Sequence, residues 1–303
     1  MARLISLVED AHPALREVMA ALAPHSGTAH IIGITGSPGV GKSTSTNALV
    51  AAFRARGRRI GVLAVDPSSP FSGGALLGDR VRMQDHAGDS GVFIRSMASR
   101  GHLGGLAWAT PQALRVLDAA GCDVVLIETV GVGQSELEIA SLADTTLVLV
   151  APGMGDGIQA AKAGILEVAD VFVVNKADRD GADSAVRELR HMLTLGERRA
   201  PGEWRPPIVK TVASRGEGLD ELVDALDKHR GWLEETGALH ERRLHRAADE
   251  VESIALTALR ERVGDLRSRG GEHGLDELAA DVVAGRTDPY AAADRLLAGL
   301  TGG

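Results

Sequence analysis

"GSPGVGKS", residues 36–43, is the stretch whose reading decides the fold. It has the form G-x-x-x-x-G-K-[ST], follows the apolar run Ile31 to Thr35, and opens a segment from Lys42 to Arg56 with helical spacing of apolar residues. Strand, glycine-rich turn and helix in that order make a phosphate cradle. Glycines let backbone N–H groups turn inward around anionic oxygens, and the helix N-terminus adds the positive end of its dipole. Lys42 supplies a mobile charge for the β- and γ-phosphates of a nucleoside triphosphate, and Ser43 a hydroxyl for Mg²⁺.

Outward from this loop, apolar strands alternate with amphipathic helices, the pattern of a mostly parallel sheet covered on both faces. Strands are expected at Ile31 to Thr35, Arg59 to Val65, Gly91 to Ile94, Asp123 to Ile127, Thr146 to Val150, Val171 to Val174 and Pro207 to Thr211. Helices are expected at Lys42 to Arg56, Gly105 to Ala120, Ile158 to Ala169, Ser184 to Leu195 and Leu219 to His229. Residues 1–23 read as one helix, broken by Pro24 to Thr28. After Arg230 only helical patterns remain, over Trp232 to Arg262, Leu275 to Ala284 and Pro289 to Leu300. The expected organisation is an N-terminal helical segment (1–29), an α/β nucleotide-binding domain (30–230) and a C-terminal helical arm (231–303). That arm reads equally as helices packed on the α/β domain and as an oligomerisation element.

"IETVGVGQSE", residues 127–136, ends a strand on Glu128, whose carboxylate points to the loop edge that carries Ser43. Mg²⁺ takes one or two carboxylates and keeps several waters, so Glu128 is a candidate ligand. Gly131 allows a backbone N–H to approach the γ-phosphate. The next position, where many small GTPases carry a water-orienting glutamine, is Val132, and Gln134 is displaced by two places. Asp66, in "AVDPSSP", and Asp79, in "GGALLGDRVRM", are further candidates for the Mg²⁺ shell. Each has a plainer alternative: a turn former before Pro67, and a helix N-cap before Arg80.

"VVNKAD", residues 173–178, follows a strand and has the form N-K-x-D. The Asp178 carboxylate can accept from guanine N1–H and its exocyclic amine, a pair that adenine does not offer. The Lys176 stem can lie on the purine face, and Asn175 can tie neighbouring loops together. "TVASRGEG", residues 211–218, offers backbone N–H groups to the guanine oxygen near Ala213 and Ser214. The expected nucleotide contacts are therefore Gly36, Ser37, Pro38, Gly39, Val40, Gly41, Lys42, Ser43 and Thr44, with Asn175, Lys176, Asp178, Ala213 and Ser214 at the base. The expected catalytic groups are Lys42, Asp66, Glu128 and Gly131, and the expected Mg²⁺ groups Ser43, Asp66, Asp79 and Glu128.

Composition narrows the partners. A net charge of −8 over 303 residues and a pI near 5.7 argue against a general nucleic-acid binder. One cysteine, Cys122, leaves no internal disulfide and no Cys-x-x-Cys metal site, which fits a reducing cytoplasm. The first apolar run, Leu4 to Val8, is too short for a signal peptide or a membrane span. Of 33 basic residues only five are lysines, and two of these, Lys42 and Lys176, fall inside the nucleotide motifs.

"GITGSPGVGKST", "AVDPSSPFSGGALLGDRVRM", "ETVGVGQSE" and "NKAD" together resemble the MeaB/ArgK family of P-loop GTPases, relatives of the methylmalonic aciduria type A protein. The likeness extends from "ARLISLVE" near the start to the helical tail. It implies a P-loop GTPase fold whose C-terminal helices form a homodimerisation arm. It further implies a cytoplasmic GTPase chaperone of an adenosylcobalamin-dependent acyl-CoA mutase, typically methylmalonyl-CoA mutase, with the mutase's adenosyltransferase as a further partner. Mg²⁺ and GTP or GDP would be its ligands. Residues 152–170, which include Lys162, resemble an extra switch that communicates with the mutase. An amino-acid transport ATPase or kinase is the rival reading, opposed by Asp178. A metal-insertion GTPase needs soft or imidazole ligands near the switches, and His102 and Cys122 read as ordinary residues. Val132 implies slow intrinsic hydrolysis that a partner or a dimer rearrangement accelerates by completing the site.

Overall fold

The computed structural model of the chain describes residues 1–67, 86, 88–99, 109–129, 135–153, 165–195, 202–268 and 274–301. They divide into two compact units, Met1–Arg243 and Leu244–Gly303. The first is built on parallel strands β1 (His30–Thr35), β2 (Ile60–Pro67), β3 (Val92–Ser99), β4 (Val124–Thr129), β5 (Thr145–Val150), β6 (Val171–Asn175) and β7 (Ile208–Thr211), ordered β3-β2-β4-β1-β5-β6-β7. The central strands β1, β5 and β6 are buried along their whole length. Their sequences are accordingly apolar runs without a polar alternation.

Around the sheet lie helices α1 (Ala2–Glu9), α2 (Leu15–Leu22), α3 (Lys42–Ala55), α4 (Thr110–Ala119), α5 (Ser135–Leu142), α6 (Ile165–Val168), α7 (Ala182–Leu195) and α8 (Leu219–Thr236). Leu49, Val50 and Phe53 of α3 share one core with Val223 and Leu226 of α8. Ile5 and Val8 of α1 share another with Leu117 of α4 and with Val125 and Ile127 of β4. Phe172 and Val174 of β6 pack with Leu189 of α7. One carboxylate fixes the entry into β1: Asp118 accepts from the N–H groups of Gly27 (2.5 Å), Thr28 (3.2 Å) and Ala29 (2.9 Å).

Each expected strand is present, with shifted ends. β2 continues through Asp66 and Pro67, pairing with Ala98 and Ser99 of a β3 longer than expected. The expected single N-terminal helix is two, because the chain turns at Ala11 (φ 48°) before Pro13, which has no N–H to continue a helix. The helix α5 has no counterpart in the expectations. Its apolar residues Leu137, Ile139, Ala140 and Leu142 spread around the helix, so "SELEIASL" shows no one-sided stripe. Of the helices expected at Gly105 to Ala120 and Ile158 to Ala169, the described parts are α4 and α6. Position 230 falls inside α8, which ends at Gly237 (φ 78°) before α9 (Ala238–Ser268).

The strand starts on one edge of the sheet meet at a buried polar junction. His30 Nε2 lies 2.7 Å from Thr145 Oγ1, which lies 2.8 Å from His229 Nδ1. Asp144, fully buried, accepts from Ile31 N–H (3.1 Å), Arg243 Nη2 (2.7 Å) and Arg230 Nη1 (3.3 Å). Asp170 accepts from Thr146 N–H (2.8 Å) and from both Arg242 Nη atoms (2.9 Å each), with His229 Nε2 at 3.2 Å. Burial alone would raise the Asp170 carboxyl, but His229 and Arg242 outweigh it and hold it down to about 2. Trp204 and Trp232 pack on the His229 ring, with centroids 4.7 and 5.8 Å away.

The second unit holds the rest of α9 with α10 (Leu275–Val283) and α11 (Pro289–Thr301), where Leu278 and Ala292 are buried. On α9 the exposed apolar side chains are Leu244, Val251, Ile254, Leu256 and Leu259, of which all but Leu256 fall on one side of the helix. Among the described residues no helix is long and apolar enough to cross a membrane.

Candidate nucleotide-binding site

At the opposite edge of the sheet, where the strands end, β1 runs into the loop 36–41 and on into α3. Gly36 (φ 140°) passes so close to β5 that a Cβ there would sit 2.3 Å from the Leu149 carbonyl oxygen. At Gly41 (φ 96°), a Cβ would sit 2.5 Å from Asn175 Nδ2. Both positions demand glycine for backbone and for space. Lys42 Nζ folds back over the loop, donating to the carbonyls of Gly36 (2.5 Å) and Ser37 (3.3 Å).

Ser43 sits at the start of α3, and its hydroxyl donates to Glu128 Oε1 at 2.5 Å from the end of β4. Glu128 is only 2 % exposed. Residues 85 apart in sequence are thus brought together as expected. Hydroxyl and carboxylate are hard oxygen donors, the chemistry that suits Mg²⁺ rather than a softer metal. Among the described residues no three His, Cys, Asp or Glu groups cluster as a metal site, and burial pushes the Cys122 thiol up to about 11. Of the other expected Mg²⁺ and γ-phosphate groups, Asp66 is described as backbone within β2. Asp79 and Gly131, together with Val132 and Gln134, lie outside the described residues.

The segment expected to hold the base is tied directly to the loop 36–41. Asn175, at the end of β6, donates from Nδ2 to the Val40 carbonyl (2.8 Å), while its Oδ1 accepts from Thr211 Oγ1 (3.2 Å) and Ala213 N–H (3.1 Å). Lys176 has φ 57°, a conformation that costs a side-chain-bearing residue about 1–2 kcal/mol, and its ammonium donates to the Gly39 carbonyl at 2.6 Å. Ala177 N–H donates to the Thr211 carbonyl (3.0 Å), closing β6 against β7. Asp178 is about one-third exposed, with Arg215 Nη2 3.3 Å from its Oδ2. Ala213 is buried, while Ser214 and Thr44 are exposed beside a groove of about 730 Å³ that continues past Asn47, His86 and Leu219. Thr211 and Arg215 were not among the expected site residues. Thr211 gives no motif signal, since its role depends on the strand pairing Asn175 with Thr211.

The sequence model of the family described as methylmalonyl-CoA mutase-associated GTPase MeaB matches residues 1–267. The chain belongs to the MeaB family. A Pyrococcus abyssi protein named provisionally as a GTPase is 48 % identical over 303 residues, covering all of this chain and 93 % of that protein. The Escherichia coli GTPase ArgK is 38 % identical over 256 residues, 82 % of this chain and 77 % of its own. The mouse mitochondrial methylmalonic aciduria type A homolog is 40 % identical over 215 residues, 70 % of this chain and 52 % of its own. Among solved structures, that of a LAO/AO transport system kinase superposes with a TM-score of 0.67 at 29 % identity, covering 97 % of this MeaB-family chain and 90 % of the other. The nickel complex of Helicobacter pylori HypB, with a TM-score of 0.52 at 19 % identity, shares the fold.

Proposed function

We propose that this MeaB-family chain is a Mg²⁺-dependent, guanine-selective nucleoside triphosphatase that serves an adenosylcobalamin-dependent acyl-CoA mutase, in the first place methylmalonyl-CoA mutase. GTP binding and hydrolysis would be coupled to cofactor loading and to protection of the mutase. The observation that carries the nucleotide part is the Asn175 carboxamide, bonded at once to the phosphate loop at Val40 and to the base loop at Ala213. The client part leans on the family's description and the mouse relative's name.

In this reading Ser43 and Glu128 hold Mg²⁺, which when bound neutralises charge on the outer phosphates. Lys42 leaves the carbonyls of Gly36 and Ser37 to meet the phosphate, and the loop N–H groups surround it. Asp66, Asp79 and Gly131 complete the γ-phosphate side. Asp178 reads the guanine edge, Lys176 lies along the ring, and backbone at Ala213 and Ser214 faces the guanine oxygen. Val132 supplies no side chain to orient the attacking water, so intrinsic hydrolysis is slow and a partner completes the site. The exposed face of α9 formed by Leu244, Val251, Ile254 and Leu259 suits a second copy of the chain, making a homodimer. A cytoplasmic location and contact with the mutase's adenosyltransferase belong to the same reading.

Labelled GTP and ATP binding to the purified protein tests base selection: equal affinity rejects the guanine reading and favours the transport-kinase alternative. Co-purification with mutases acting on methylmalonyl-, isobutyryl- and ethylmalonyl-CoA, followed by a GTPase assay, tests the client. Failure to bind or to change rate with any of them rejects the chaperone role. Light scattering tests the arm, with a dimer for the parent and a monomer for Ile254→Glu; a monomeric parent ends that proposal.

A further inference from the structure

Asp178 is the carboxylate on which guanine selection rests, yet a guanidinium already sits on it. Arg215 Nη2 is 3.3 Å from Asp178 Oδ2, and Arg215 Nη1 is 3.8 Å from Glu217 Oε1. The N1–H and exocyclic amine of guanine, joined through C2, form a cyclic guanidine. The arginine head carries N–H donors of the same kind, and one of its nitrogens, Nη2, lies against Asp178 while Nη1 lies toward Glu217. We propose that Arg215 is a latch on the base pocket: its guanidinium competes with the guanine edge for Asp178, and nucleotide entry leaves it to Glu217. The inference rests on the guanine-selective reading above.

The local geometry gives the latch a fixed base and a free arm. The turn that carries it, residues 213–215, is held by Ala213 N–H on Asn175 Oδ1 and by reciprocal backbone bonds between Val212 and Glu217 (3.1 and 3.3 Å), and it is closed by Gly216 at φ 72°. The Arg215 side chain itself is 59 % exposed, as is that of Glu217, so the head moves between two carboxylates through water. An exposed ion pair of this kind is weak enough for a ligand with several contacts to displace.

Association of a fluorescent GDP analogue with the nucleotide-free full-length protein, followed by stopped flow, tests the latch. Arg215→Gln is expected to speed association about two- to five-fold. Glu217→Gln, which removes the alternative carboxylate, is expected to slow it by a similar factor. In an Asp178→Asn background, probed with the corresponding xanthosine diphosphate analogue, Arg215→Gln is expected to change nothing. An Arg215→Gln protein that binds GDP more slowly or at the parent rate overturns the latch, as does a Glu217→Gln protein that binds at the parent rate or faster. If the parent also prefers GDP to ADP, the guanine reading survives that failure. A parent that binds both equally removes the guanine reading itself, and the latch with it.

Discussion

His30 makes the stability of the sheet depend on pH in a calculable way. Burial pulls its pKa down from 6.5 to about 3; Asp144 opposes the shift, and Arg230, His229 and Arg58 reinforce it. Its folded-state pKa lies below the unfolded one, so the folded state excludes a proton that the unfolded chain takes up. The stabilisation from a neutral His30 is complete above pH 6.5 and is lost as pH falls from 6.5 toward 3. Between pH 7.5 and pH 5.0 the loss spans about 1.5 pH units at 1.36 kcal/mol each, about 2 kcal/mol. Asp170, held at about 2, begins to cost stability only below its ordinary 3.8 and stays outside this window. His30→Gln keeps a hydrogen-bonding group toward Thr145 and cannot titrate. Urea unfolding read by Trp204 and Trp232, which pack at the same junction, reports the effect. The parent midpoint should fall by roughly 1 M more than that of His30→Gln between the two pH values. Equal falls in both proteins would refute the assignment of the buried, neutral His30.

Three further outcomes follow from particular contacts. Asn175→Ala removes the bonds to Val40, Thr211 and Ala213 and should weaken GDP binding about 10- to 100-fold by calorimetry, whereas parent affinity would mean the hub contributes nothing. Ser43→Ala should abolish the Mg²⁺ dependence of GTP binding while leaving GDP binding in chelator within about three-fold of the parent; retained Mg²⁺ dependence would place the ion elsewhere. Asp144→Asn leaves Arg230 and Arg243 against a neutral, fully buried group and should cost about 3–5 kcal/mol of unfolding free energy, a loss that a parent-like urea midpoint would disprove.

The strands were legible because parallel strands buried on both faces leave contiguous apolar runs, and β1, β5 and β6 are of that kind. The phosphate loop was legible because Gly36 and Gly41 have no room for a side chain, so backbone geometry wrote itself into residue identity. The helix α5 was not, since its apolar residues do not fall on one side. The turn that divides α1 from α2 falls at Ala11, a residue with no turn preference of its own, and Pro13 just after it is the one local signal. Within the candidate site, the meeting of Ser43 with Glu128 and of Asn175 with the loop 36–41 was legible, because each residue belongs to a motif that names its type. The contacts of Thr211 with Asn175 and of Arg215 with Asp178 were not legible, because only the β6–β7 pairing and the following turn bring those residues close. The buried junction of His30, Thr145, His229, Asp144 and Asp170 likewise joins residues up to 115 positions apart in a single contact, without a motif to announce it.

The Asn175 carboxamide has a consequence for how the ligand is felt. Because one side chain is bonded to both the loop 36–41 and the turn at Ala213, the protein itself holds the two halves of the candidate pocket at a set separation. Guanosine alone and pyrophosphate alone would each pay the full entropy of association for half the contacts, and each would bind feebly. Joined through ribose, the second half arrives at a high effective concentration into a pocket already spaced for it. The affinity of the intact nucleotide should therefore exceed the product of its fragments' affinities. Loosening the hub should erode that excess more than it erodes the binding of either fragment.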